Sequence, residues 1–225
     1  MRKSAKEWGL RIGILLAGLV IAHLGVTLFL LSDLGSDPFN VFVQGVFRSL
    51  EKGLGWPVLT HGRVHIAISL LIVAVLLFVD RSYIKIGTAL CMIFGGPIID
   101  GFTVLLGPLF SGAGLFVRIC MLILGCGILA YGMTIVIRSD AGTGPNDLVA
   151  LVISEKARFR FSLTRIAVDA AFALLGWLLG GTVGAGTLVC MFLVGPVAGV
   201  FLPINGRIVD RLVGRLKRDG SEGGQ

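Results

Sequence analysis

Residues 32–40 read SDLGSDPFN, and residues 139–147 read SDAGTGPND. The second copy follows the first by 107 positions. In each, a long apolar run ends at Ser-Asp, a Gly follows two residues on, and a Pro opens a shorter apolar run. The chain is organised around this stretch twice.

The flanking runs are those of a membrane protein. The 225 residues are 55% hydrophobic and 15% charged, with mean hydropathy +0.93. A soluble domain carries about 25% charged residues. The charges here sit in patches between long uncharged runs. The run at 10–31 is long enough to cross about 30 Å of hydrocarbon at about 1.5 Å per residue. It is too long for a signal-peptide core and is read as the first span. Further spans are expected at 64–79, 84–106, 115–137, 163–179 and 183–202. The pieces after the prolines, 38–50 and 145–154, are too short to span. EKGLGWP at 51–57 reads as a turn-rich connection, and SEGGQ at 221–225 as a disordered end.

The halves match beyond the opening stretch. Gly87-Thr88, Cys91-Met92 and Gly96-Pro97 line up with Gly186-Thr187, Cys190-Met191 and Gly195-Pro196 at an offset of 99. Arg63 and Arg165 stand near the start of the second span of each half. The expected fold is therefore all-α, with six transmembrane helices in two three-helix repeats: 1–108, then 109–206, then a basic amphipathic tail at 207–225 lying on a membrane surface. With both termini cytoplasmic, 16 of the 20 basic residues face the cytoplasm, in accord with the positive-inside rule. Three spans per half is odd, so the second repeat is inverted.

Composition and motifs exclude several classes. The net charge of +7 lies in short loops and at the ends, which suits topology and anionic lipid rather than nucleic acid. Cys91, Cys120, Cys126 and Cys190 lie inside apolar runs with no CxxC pair, so no disulfide framework or metal site is indicated. No hydrolase, metalloprotease or phosphate-loop motif is present, so neither an enzyme nor a cofactor is expected.

Each candidate site has a plain structural reading beside the functional one. Asp37-Pro38 reads as a helix cap with Pro at the first helical position, and Pro145 likewise. Gly35 and Gly142 allow a sharp reversal. The motifs then only turn the chain at the membrane surface. The functional alternative is that the short helices re-enter the protein with their positive N-termini aimed at a buried site. Asp33, Asp37, Asn40, Asp140, Asn146 and Asp147 would then bind a solute. Gly96-Pro97 and Gly195-Pro196 are expected to break the third span of each half; they mark either a packing kink or a transporter's site. Asp100, inside the third span, should face the interior or a cavity, and His23 lies in the first span; the two are candidates for proton coupling. Asp169, four residues beyond Arg165, suits an ion pair with it.

The duplicated SDxGxxP segments and the two GTxxCM…GP third spans resemble the YitT/YczE/YyaS family of bacterial integral membrane proteins, on the YczE-like side, over nearly the whole chain. That resemblance implies a multi-pass protein of the bacterial plasma membrane and no particular activity. The expected function is a small-solute transporter or channel with its pathway at the repeat interface. The alternative is a non-transporting accessory protein that supports a partner membrane protein or enzyme. Expected partners are the lipid bilayer and a small solute, with a homo-oligomer left open and no nucleic acid.

Overall fold

The computed structural model describes residues 4–54 and 61–222. Of the expected 51–57 connection, 51–54 belong to a helix and 55–57 lie outside the described residues; of the 221–225 end, 221–222 are helical and 223–225 lie outside them. Eight α-helices and no strand occur among the described residues. They are α1 (Ala5–Leu31), α2 (Pro38–Leu54), α3 (His61–Val79), α4 (Ile86–Phe110), α5 (Leu115–Arg138), α6 (Pro145–Ala157), α7 (Phe161–Leu178) and α8 (Ala185–Glu222), with a single 3-10 turn at Arg81–Tyr83. All except α2 and α6 are long and apolar enough to cross a membrane, which gives six candidate spans.

The centre of the bundle is the crossing of α1 and α5. Lipid gives no hydrophobic drive between spans, so close packing falls to small residues. A Cβ on Gly25 would lie 2.3 Å from the Leu129 amide nitrogen, and one on Gly132 2.3 Å from the Ala22 nitrogen. Gly25 faces Gly125 while Gly18 faces Gly132, so the helices run antiparallel. Gly18 and Gly25 become Gly125 and Gly132 on adding 107, so the two contacts exchange under that shift.

The short helices are longer than expected and are packed inside the bundle. Val41 and Val43 of α2, and Leu148 and Ala150 of α6, are buried. α2 runs beside α7 in the same direction: Phe39 meets Phe172 edge-on at 5.3 Å, Gly45 abuts the Gly176 carbonyl, and Ser49 Oγ donates to the Leu179 carbonyl at 3.0 Å. α6 ends beside the end of α3, where Tyr83 Oη donates to Glu155 at 2.6 Å and Lys156 pairs with Asp80 at 3.0 Å.

Three expectations need correction. The third spans are not broken: α4 continues through Gly96 and Pro97, and α8 through Gly195 and Pro196. A proline costs its helix one hydrogen bond and some local strain; flanking turns hold the helix together here. The 207–225 segment starts no helix of its own, because α8 runs on as one rod to Glu222, with Val209 and Val213 buried. Arg63 is not the counterpart of Arg165. Arg63 is exposed and Arg165 buried, whereas Val64, Ile68, Ser69 and Leu76 share burial with Thr164, Val168, Asp169 and Gly176 at an offset of 100. His65 therefore stands opposite Arg165 in the VHIAIS and TRIAVD stretches.

Candidate functional site

The two motif loops are conformational copies. Asp33 and Asp140 adopt left-handed backbone angles, φ 49° and 54°, a region that Asp tolerates better than most side chains. Gly35 and Gly142 follow at φ 150° and 129°. Each loop docks on the first turn of a helix in the other half. The Gly186 amide donates to the Leu34 carbonyl and the Gly87 amide to the Ala141 carbonyl, both at 2.8 Å.

Each loop is also held by an arginine from the other half. Arg118 Nε donates to the Ser32 carbonyl at 2.6 Å, and its Nη2 pairs with Asp33 at 2.8 Å. Arg11 Nη1 donates to the Ser139 carbonyl at 3.0 Å and lies 3.5 Å from the Asp140 carboxylate, which Lys85 also pairs. Arg11 and Arg118 are 107 residues apart, the spacing of the motifs themselves. That spacing was the available signal, hidden because both arginines also serve as end charges. Asp33 and Asp140 are thus clamp residues near opposite ends of the α1–α5 pair; Asp33 is 90% exposed and stands apart from the interior.

The second half of each motif behaves differently. Asp37 caps α2 by accepting from the Asn40 amide at 3.1 Å, and the Asn40 side chain donates to its other oxygen at 2.5 Å. α6 begins with Gly144 as its cap, then Pro145 and the half-buried Asn146. Asp147 pairs with Arg165 Nη1 at 2.5 Å, and Arg165 Nε pairs with Asp169 at 2.9 Å. Arg165 and Asp169 are 7% and 1% exposed, so this is an interior ion triad. The i,i+4 pair expected from the sequence is present, with Asp147 added.

Asp37 lies within electrostatic reach of Asp169 and of His65, as Asp147 does of Asp169 and His23. The starts of α2 and α6 each contact α7, through Phe39–Phe172 and Asp147–Arg165, and so flank one interior polar layer around Asp169. His65 packs edge-on against Phe39 at 5.3 Å. His23 Nδ1 lies 2.7 Å from the Leu19 carbonyl and donates to it, which leaves Nε2 as an acceptor beside Gly95 in the neutral ring. Arg165, Asp169 and His65 were not among the site residues expected from the sequence.

Asp100 does not join this layer. Its side chain is exposed on α4 and makes no hydrogen bond or ion pair among the described residues, so it does not face the interior as expected. Gly96 and Pro97 are exposed on the same helix, whereas Gly195 is buried against α7.

A cavity of about 440 Å³ opens where α1 begins and α5 ends, lined by Arg11, Tyr83, Lys85, Arg138, Asp140, Thr143, Glu155 and Asp210 among others. Its polar lining is balanced in charge. Among the described residues, the Thr143 and Thr88 hydroxyls in this region are buried without hydrogen-bond partners. Thr187, the counterpart of Thr88, donates to the Ser36 carbonyl at 2.6 Å. The two docking seams are therefore not equally closed. Outside the spans, Tyr83 is raised from 10.0 to about 12, first by its bond to Glu155. Asp80 is lowered to about 2 by its bonds to Ser82 and then Lys156.

The membrane protein YczE of Bacillus subtilis is 29% identical over 200 residues, covering 88% of each chain. A protein of Haemophilus influenzae is also 29% identical, over 88% of this chain and 85% of that one. The Bacillus subtilis protein YyaS is 28% identical over 83% of this chain and 90% of its own. No solved structure matches. A match to the family model over residues 9–203 places the chain in DUF6198, a family of unknown function, and it is a membrane protein.

Proposed function

We propose that the protein is a small-solute carrier or channel of the bacterial inner membrane, made of two inverted three-span repeats with both termini cytoplasmic. The observation that carries this reading is the interior polar layer. Two motifs that leave the antiparallel α1 and α5 at opposite ends both bring a helix N-terminus and a first-turn polar group to it, beside Arg165 and Asp169. Helix ends that meet at an interior site between two like halves are how membrane carriers bind ions and small solutes. Asp37, Asp147 and Asp169 outnumber the Arg165 guanidinium, so the layer suits a cationic solute or one moved with protons. The Asp33 and Asp140 clamps then act as latches, one per face, rather than as binding groups.

A second reading keeps support from α8. Its 38 residues extend about 57 Å at about 1.5 Å per residue, well beyond about 30 Å of hydrocarbon, and carry exposed Arg207, Arg211 and Arg215. That rod would suit docking to a partner in an accessory role. Proteoliposomes loaded against a broad mixture of small metabolites separate the two. The carrier reading expects uptake of at least one compound, lost in Asp147→Asn. No uptake across the mixture, with cellular function lost on truncation after Ile204, favours the accessory role and overturns the carrier.

A further inference from the structure

The seam between α7 and α8 is closed, and the matching seam between α3 and α4 is open. A Cβ on Gly195 would lie 2.6 Å from the Ser162 carbonyl oxygen and 3.0 Å from Ile166 Cγ1; one on Gly199 would lie 3.0 Å from Ser162 Cβ. Their counterparts on α4 are Gly96 and Asp100, at the offset of 99 that also relates the docked Gly87 and Gly186. The counterparts of Ser162 and Ile166 on α3 are Gly62 and Ile66. Among the described residues nothing lies within 4 Å of a Cβ on Gly96 or Gly62, and Ile66 is 55% exposed. α4 leans on α1 and makes no comparable contact with α3, so 11% of its most apolar window is buried against 50% for α5.

We propose that α4 closes on α3 in a second state of the protein, placing Gly96 against Gly62 and Ile66 as Gly195 packs against Ser162 and Ile166. The inference rests on the inverted-repeat part of the carrier reading: in such a protein the contact made by one half is available to the other. Asp100 gives the movement a cause. In the open seam its carboxylate sits well inside a span with no partner, which is costly in lipid. In the closed seam it takes the place of Gly199 beside the first turn of α3, where the positive helix end favours a carboxylate. The residue that breaks the symmetry is then the one that biases the closure.

The test is a disulfide formed in native membranes, in a background without the four native cysteines. The reference pair Ser162→Cys/Gly199→Cys should oxidise readily. The pair Ile66→Cys/Gly96→Cys should also form a disulfide within the chain, and adding Asp100→Asn should slow it about two- to fivefold. A pair that stays reduced while the reference oxidises overturns the proposal. So does a disulfide formed between chains, which would mean that a second copy covers this face; an unchanged rate in Asp100→Asn overturns the role of the carboxylate. Spin labels at the exposed Leu70 and Ile93 give a second readout that leaves the seam residues intact. Two distance populations support closure, and a single long one overturns it. Neither measurement needs a substrate, so a seam that closes in a protein without uptake overturns the carrier reading alone.

Discussion

Replacing Arg165 by Met isolates the interior triad. Arg165 bridges Asp147 at 2.5 Å and Asp169 at 2.9 Å, with the guanidinium and the Asp169 carboxylate almost fully buried. Removing the cation leaves the buried Asp169 carboxylate, and the mostly buried Asp147, without their counter-charge. Breaking a buried pair in this way costs about 3–5 kcal/mol, because the surviving charge loses its compensation. At about 2–4 °C per kcal/mol for a chain of this size, Arg165→Met should unfold about 6–20 °C below wild type. Thermal unfolding of the purified protein in detergent micelles reads the shift. The triple variant Arg165→Met/Asp147→Asn/Asp169→Leu should recover most of it, since an ion cluster replaced whole by neutral groups of similar volume is close to neutral in stability. An Arg165→Met protein within about 1 kcal/mol of wild type, or a triple variant no better than the single one, would refute the reasoning.

Other perturbations probe the frame and the faces. Gly25→Val should be lost from membranes or strongly destabilised, by about 1–3 kcal/mol or more, since its side chain meets α5 backbone. Gly13→Ala, with nothing within 4 Å, should stay within about 0.5 kcal/mol in the same unfolding assay. Arg118→Ala should cost about 1.5–3 kcal/mol by freeing the Ser32 and Asp33 carbonyls, and Arg118→Lys should restore less than half, because an ammonium does not reproduce the guanidinium fork. Tyr83 has a folded pKa above its unfolded one, so its bond to Glu155 contributes fully below pH 10 and is lost as pH rises through about 12. The tyrosinate absorbance difference between wild type and Tyr83→Phe should therefore appear near pH 12; a step near pH 10 would contradict the bond.

Much of the frame was legible in the sequence. The motif pair located the ends of α1 and α5, and the Pro at each motif marked the start of α2 and α6. The third spans, expected from 84 and 183, start at Ile86 and Ala185, beside the Gly-Thr pairs on which the loops dock. Facing was harder to read. Spans that are apolar on every side show no stripe that tells lipid from protein, so Asp100 was assigned to the interior it does not face. The α3 and α7 register went astray because one shared Arg outweighed the IAI and IAV match around His65 and Arg165. The interior layer was half visible: Asp37 and Asp147 lie inside the repeated motif, though opposite Gly144 and Asn40, while Arg165, Asp169 and His65 lie outside it and have unlike counterparts. The proline breaks failed for an energetic reason. The hydrogen bonds lost at two internal prolines in each, Pro97 and Pro108 in α4 and Pro196 and Pro203 in α8, did not end helices of this length.

The central claim is that the starts of α2 and α6 border one aqueous pathway, and labelling of Asn40→Cys and Asn146→Cys tests it most directly. Both positions are half-buried at the interior ends of the short helices and leave the ion triad intact. In a cysteine-free background, a membrane-impermeant thiol reagent should reach each of them from at least one side of the membrane, as it reaches the exposed control Ser82→Cys. If neither position reacts from either side while the control does, no water-lined route reaches the layer, and the motifs are caps on a closed bundle.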